Sequence, residues 1–141
     1  VGLRLQLNDF TSTQVAELNQ RHGGPVAEAD LPQFVELFGG HPYLTRQAFY
    51  ALVDEPLSWP NLAQNATSDD GPFGSHLRSY LWQLSERPEL VNGFLEVLAR
   101  ERCNDDAVLY RLSAAGLVRE VGDRAVPRCR LYAQYFGIKL R

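Results

Sequence analysis

The side chains of this chain that could act as nucleophiles or metal ligands are few and widely spaced. His22 follows a predicted helix and His76 begins one, which indicates surface or capping roles for both. The two acidic pairs lie in turn-like sequence, where carboxylates are solvated. The histidines, cysteines and acidic pairs in question are His22, His41, His76, Cys103, Cys129, Asp54–Glu55 and Asp69–Asp70. None of them has the close spacing of zinc ligands. We therefore predict no catalytic residue and no metal site.

One short segment, residues 37–46, combines a helix stop, a tight turn and a helix start. Two glycines, Gly39 and Gly40, end one predicted helix, and Pro42 stands where the next begins, because its missing N–H costs nothing in a first turn. Such a helix N-terminus presents backbone donors, near Tyr43, to a polar or anionic ligand. The alternative interpretation is a plain helix–helix corner, which glycine and proline also mark.

Charge is distributed unevenly along the 141 residues. Residues 1–99 carry five basic against twelve acidic side chains, whereas residues 100–141 carry nine against five. The basic end is the only compositional hint of an anionic partner, and a merely solvated surface is the favoured interpretation of it. The arginines that could contact phosphate there are Arg124, Arg128 and Arg130. No apolar run approaches membrane-spanning length, so no membrane partner is expected and a reduced, cytoplasmic setting is the default.

The order of predicted elements indicates a mainly α fold in two domains, residues 1–70 and 71–141. Alternating leucines over residues 1–7 predict an edge strand, and a capping box at Thr11–Gln14 opens the first of four helices. The polar stretch 67–72 marks the boundary. Three helices then precede a hairpin that extends through Leu131, an order typical of a winged helix.

A winged helix suggests contact with DNA, but the third helix of this one begins with acids. We predict Asn104 as its cap, followed by Asp105 and Asp106, whose carboxylates repel phosphate where a groove-reading helix carries basic or amide side chains. The sequence therefore favours a winged helix used for protein or nucleotide contact. Nucleic-acid binding is the alternative, and a protein–protein adaptor is a third hypothesis.

Five short segments, taken in order, resemble a known family. They resemble the C-terminal part of bacterial AAA-like ATPases of the signal-transduction class with numerous domains, the STAND NTPases, over essentially the whole chain. The glycine–proline segment is the most specific of them. The segments are Asn8-Asp9-Phe10-Thr11 with Gln14-Val15, Phe38-Gly39-Gly40-His41-Pro42-Tyr43-Leu44, Ser75-His76-Leu77-Arg78, Ala115-Gly116-Leu117-Val118 and Cys129-Arg130-Leu131-Tyr132-Ala133-Gln134-Tyr135-Phe136.

In such proteins a P-loop core is followed by a helical lid and a winged helix, and the proline of a Gly-x-Pro motif in the lid approaches adenine. The resemblance implies nucleotide-binding roles for Gly40, His41, Pro42, Tyr43 and Arg46. The phosphate-sensing Met-His-Asp of related families has no counterpart here, because Arg128, Cys129 and Arg130 stand in its place. An arginine can bind phosphate equally well.

These patterns predict a regulatory module without catalytic activity, formed by a four-helix lid-like bundle and a winged helix. The chain itself has no P-loop and no G-x-G-x-x-G segment, so we expect no cofactor in it alone. The resemblance implies that a parent protein binds ATP or ADP with magnesium between an upstream P-loop ATPase core and this module. Nucleotide exchange would then expose an oligomerisation surface, so a homo-oligomer is an expected partner.

Overall fold

The computed structural model describes residues 8–55 and 57–141, so the predicted edge strand at residues 1–7 lies outside the described part. The fold is mainly helical with one antiparallel hairpin, as predicted. The chain forms two compact units, Val1–Asn65 and Ala66–Arg141. This division falls five residues before the boundary placed at residue 70 from the sequence. None of the helices in the described ranges is long and apolar enough to cross a membrane.

The described residues of the first unit, 8–55 and 57–65, form four helices and one short 3-10 turn. The predicted capping box is confirmed at its start, where Thr11 Oγ1 accepts the Gln14 amide at 3.1 Å and Gln14 Oε1 accepts the Thr11 amide at 2.9 Å. This exchange satisfies two of the donors that a helix start leaves unpaired. The elements are α1 (Ser12–Arg21), the 3-10 turn (Glu28–Asp30), α2 (Leu31–Phe38), α3 (Pro42–Asp54) and α4 (Trp59–Gln64).

Aromatic rings form the core of the first unit. The Phe34 ring lies 4.9 Å from the rings of Phe38 and Phe49 and 5.4 Å from that of Trp59, between ring centroids. All four side chains are buried. Because they come from α2, α3 and α4, these rings pack the three helices around one apolar core.

The second unit contains the remaining helices and the hairpin. Strands β1 (Val118–Val121) and β2 (Arg124–Pro127) pair antiparallel with Val121 opposite Arg124, which leaves Gly122 and Asp123 as a two-residue turn. The amide of Ala125 donates to the Glu101 carbonyl at 2.8 Å, so the outer edge of β2 is also partly paired. The elements are α5 (Gly74–Ser85), α6 (Pro88–Arg100), α7 (Asp106–Ala114), β1 (Val118–Val121), β2 (Arg124–Pro127) and α8 (Arg130–Lys139).

Two local predictions for this unit are wrong. The second strand does not reach Leu131, because it stops at Pro127, which has no N–H for a ladder, and α8 begins three residues later. The cap of α7 is Asp105 and not Asn104, since Asp105 Oδ1 accepts the amides of Ala107 and Val108. The closing segment is thus a helix, and it buries Leu131, Tyr132, Tyr135 and Phe136.

Candidate functional site

The helix–helix corner between α2 and α3, residues Gly39–Tyr43, is the candidate site, and we call it the elbow. Gly39 and Gly40 both adopt left-handed backbone conformations, with φ of 62° and 69°. Gly39 ends α2 with its amide donating to the Val35 carbonyl at 2.7 Å. His41 is the N-cap of α3 and Pro42 is its first residue. The elbow therefore forms as the glycine–proline pattern predicts.

The backbone beside Gly40 is occupied by the chain itself. Phe10 donates its amide to the Gly40 carbonyl at 2.8 Å. A Cβ added at Gly40 would overlap the Phe10 carbonyl oxygen. Residues just before α1 therefore occupy the space beside Gly40, for which the resemblance implies a nucleotide-binding role. Phe10 thus contacts the elbow from a distant part of the chain, and the sequence alone does not indicate this contact.

The first-turn amides of α3 are not open donors, which corrects the expectation for them. His41 Nδ1 accepts the Tyr43 amide at 3.2 Å and faces the Leu44 amide at 3.5 Å. The imidazole is largely buried, with 9% of its surface exposed. A neutral imidazole with an unprotonated Nδ1 acts here as a Ser or Asp cap would. His41 is therefore a structural cap of the elbow.

Pro42 and Tyr43 form the outward side of the elbow, and Arg46 lies one turn further along α3. Pro42 is half-buried and Tyr43 is 46% exposed. The exposed Arg46 guanidinium lies over the Phe10 ring, 5.8 Å from its centroid. The five residues predicted as a site thus divide into two internal ones, Gly40 and His41, and three on the outer side.

The three arginines of the C-terminal region do not form one cluster. Arg124 stands at the turn end of β2 and pairs with Glu101 at 2.9 Å. Arg128 follows the other end of the same strand, about 13 Å away at the usual rise per residue. The Arg128 carbonyl accepts a bond from Arg119 Nη2 at 2.7 Å, and the exposed Arg130 begins α8.

The exposed side of α7 offers no basic surface for a groove. Asp106 occupies its first turn. Arg111 pairs with Glu89 on α6 at 3.4 Å, and Tyr110 is 71% exposed. A helix that reads a DNA groove carries basic or amide side chains at its start, whereas α7 begins with acids and its Arg111 is ion-paired.

The surface or capping role predicted for His76 is wrong, because His76 is partly buried against α8 and the cap of α5 is Phe73. Its Nε2 lies 2.7 Å from the Tyr132 hydroxyl, and the two rings stack with centroids 6.0 Å apart. Burial, together with the nearby Arg128 charge, lowers the pKa of His76 below its ordinary value. These partners are 56 residues apart in sequence, so no local pattern could have indicated them.

The described residues contain no group of histidine, cysteine and carboxylate side chains that could hold a metal ion. Cys103 and Cys129 are both buried and unbridged. Burial raises the pKa of the Cys103 thiol and raises that of Cys129 to about 11, so both remain protonated and weakly nucleophilic. These thiols are suited to packing and not to covalent chemistry.

Comparison with known proteins identifies one match, to the family model described as the AAA-like domain, over residues 1–138. No curated protein and no solved structure matches the chain. The family match includes the elbow, the hairpin and nearly all of α8. Since it spans almost the entire sequence, the chain belongs to the AAA-like domain family.

Proposed function

We propose that this chain is the non-catalytic regulatory part, a helical lid followed by a winged helix, of an AAA-like ATPase of the STAND class. It contributes to sensing ATP against ADP and to oligomerisation driven by the nucleotide. Family membership over residues 1–138 supports an ATPase context. The observation that carries the proposal is the elbow, whose backbone is fixed from inside by Phe10 and His41 while Pro42 and Tyr43 lie on its outer side.

The two outer residues provide the kind of surface that a planar base prefers. A proline ring and an aromatic ring offer apolar faces with little conformational entropy to lose on binding. Pro42 and Tyr43 would hold the adenine, while an upstream P-loop ATPase core of the same protein would hold the phosphates and magnesium. Gly40 and His41 act indirectly by setting the position of Pro42.

Arg46 would contact phosphate only after leaving the Phe10 ring. An exposed cation–π contact contributes roughly 0.5–1 kcal/mol, which one charge-assisted bond to a phosphate oxygen exceeds. The structure therefore supports a role for Arg46 that depends on bound nucleotide. Arg124, which pairs with Glu101, and Arg128 and Arg130 are the corresponding candidates in the second unit.

The test of the nucleotide site is a pair of proline variants in the full-length protein. Pro42→Ala should weaken binding of a fluorescent ADP analogue about fivefold, the loss expected for one apolar contact of about 1 kcal/mol. Pro32→Ala is the matched control, because Pro32 also lies at the start of a helix, α2, but outside the elbow. Equal affinities for the two variants would favour a plain protein–protein adaptor instead.

The lack of catalysis is tested on the chain alone. With ATP and magnesium, phosphate release should equal that of a sample without protein, because no P-loop is present in the sequence. Turnover above that level that survives repeated purification would contradict the proposal.

A further inference from the structure

Asp69 has three bonding partners within the second unit. Its Oδ1 accepts a hydrogen bond from the Tyr135 hydroxyl at 2.9 Å, and its Oδ2 pairs with Lys139 Nζ at 3.0 Å. Its main-chain carbonyl accepts a bond from Arg78 Nη1. Tyr135 and Lys139 belong to α8 and Arg78 belongs to α5, so one residue is tied to two helices that pack on each other.

The segment around Asp69, residues 66–73, is where the chain passes from the first unit to the second, and we call it the connector. Its backbone is folded by turn bonds from Gly71 to Ser68, at 3.0 Å, and from Gly74 to Gly71, at 3.1 Å. Phe73 is fully buried at its end. A Cβ at position 74 would overlap the Asp69 carbonyl oxygen, so the connector needs a glycine there.

We propose that Asp69 is a latch that joins the connector to α8 and α5. With the latch closed, residues 68–73 are held against α8 and α5. With the latch open, the connector loses this attachment and its backbone opens locally. This inference goes beyond the proposed function and holds whichever ligand the elbow binds.

The groups around Asp69 keep the latch closed at neutral pH. The bond from Lys139, followed by that from Tyr135, lowers the pKa of Asp69, so its carboxylate stays ionised well below neutrality. Burial and the neighbouring Asp69 raise the pKa of Tyr135 to about 12, which keeps its hydroxyl a donor. Because the Lys139 and Asp69 side chains are about 40% exposed, the ion pair alone is weak, and the latch depends on the three contacts acting together.

Hydrogen exchange of the intact chain, resolved to peptides, tests the latch. In Asp69→Ala, the Gly71 and Gly74 amides should exchange at least about tenfold faster than in the unchanged chain. The reason is that local opening of the connector no longer requires breaking the bonds from Tyr135 and Lys139 to the Asp69 carboxylate. Peptides from α6 and α7 should be unchanged. Asp70→Ala is the matched control, because Asp70 is the exposed neighbouring carboxylate. Equal exchange in the two variants overturns the proposal.

A second pair of variants decides the matter if Asp69→Ala loosens the entire second unit. Lys139→Met and Tyr135→Phe each remove one partner from α8 and leave the connector sequence intact. Faster exchange confined to residues 66–74 in both variants supports the latch. Unchanged exchange of that segment in both variants overturns it.

Discussion

At the scale of single residues, the elbow depends on Gly40 because glycine has no Cβ. Gly40 and Gly24 have nearly the same backbone angle, with φ of 69° and 71°. A Cβ at Gly24 would have no heavy atom within 4 Å, whereas one at Gly40 would overlap the Phe10 carbonyl. Alanine substitutions at the two positions therefore distinguish the free-energy cost of the left-handed backbone angle from the cost of the steric overlap with Phe10.

Replacing each glycine by alanine should destabilise the first unit to different extents. Gly24→Ala bears only the left-handed strain, about 1 kcal/mol, while Gly40→Ala also displaces residues 8–10 and should cost about 2–4 kcal/mol. Urea unfolding followed by Trp59 fluorescence measures both, since Trp59 is buried in this unit. The exposed Trp82 is removed beforehand by Trp82→Phe. Equal losses of unfolding free energy in the two variants would show that residues 8–10 move away from the new Cβ without strain.

The capping role of His41 predicts a rescue by asparagine. His41→Ala leaves the Tyr43 amide without its Nδ1 acceptor and should cost about 1 kcal/mol, whereas His41→Asn supplies an oxygen acceptor and should restore most of that loss. The same Trp59 unfolding assay measures both. If the asparagine variant is as unstable as the alanine variant, packing of the buried imidazole contributes more to stability than its capping hydrogen bond does.

At the scale of elements, the sequence predicts those helix starts and ends that depend on residues close together in the chain. The capping box of α1 and the glycine–proline change from α2 to α3 depend on contacts within about four residues, and both form as predicted. The start of α8 was missed because its cap, Cys129, makes no side-chain capping bond in the structure and is not a common cap type. Local capping signals were therefore insufficient at this end of the chain.

The contact between α5 and α8 predicts a dependence of stability on pH. His76 is held neutral in the folded chain, because its pKa is lowered by burial and by Arg128, with the rings of Tyr80 and Tyr132 against it. A lowered folded pKa contributes stability above the unfolded value, near 6.5, and that stability is lost as the pH falls through the folded value. The second unit should therefore weaken in mild acid.

The measurement is the urea midpoint of the second unit, followed by tyrosine near-ultraviolet circular dichroism, at about pH 7.5 and pH 5. His76→Gln removes the titrating group and keeps a side chain that can bond the Tyr132 hydroxyl. The drop in midpoint on acidification should be smaller in the glutamine variant. Identical drops would assign the pH dependence to other groups.

At the scale of the whole molecule, contacts distant in sequence explain what local patterns did not indicate. Asp69 meets Tyr135 and Lys139 across 66 and 70 residues. The sequence predicts a boundary after residue 70, within the connector, because residues 67–72 are polar and rich in turn-forming residues. In the structure these contacts place the whole connector with the second unit. Predicting that placement would have required knowing that α8 packs beside α5.

The charge pattern of the molecule predicts that it does not bind duplex DNA at physiological salt. The chain carries a net charge of −3, and the arginines at the hairpin turn and on α7 are paired with Glu101 and Glu89. Non-specific DNA-binding proteins reach dissociation constants of about 10⁻⁴–10⁻⁶ M, and we expect weaker binding than that here. Fluorescence anisotropy of a labelled duplex measures it.

The acids at the start of α7 provide the control for that experiment. Changing Asp105 and Asp106 together to asparagine preserves the cap, since asparagine caps as well as aspartate, and removes two charges that repel phosphate. If these acids are what excludes DNA, this variant should bind the duplex measurably more tightly than the unchanged chain, with an affinity that falls steeply with salt. The opposite outcome is micromolar binding by the unchanged chain that is lost in the double variant Arg124→Ala with Arg128→Ala. That result would favour the nucleic-acid role. It would mean that the ion pairs open readily and leave the hairpin arginines available to phosphate.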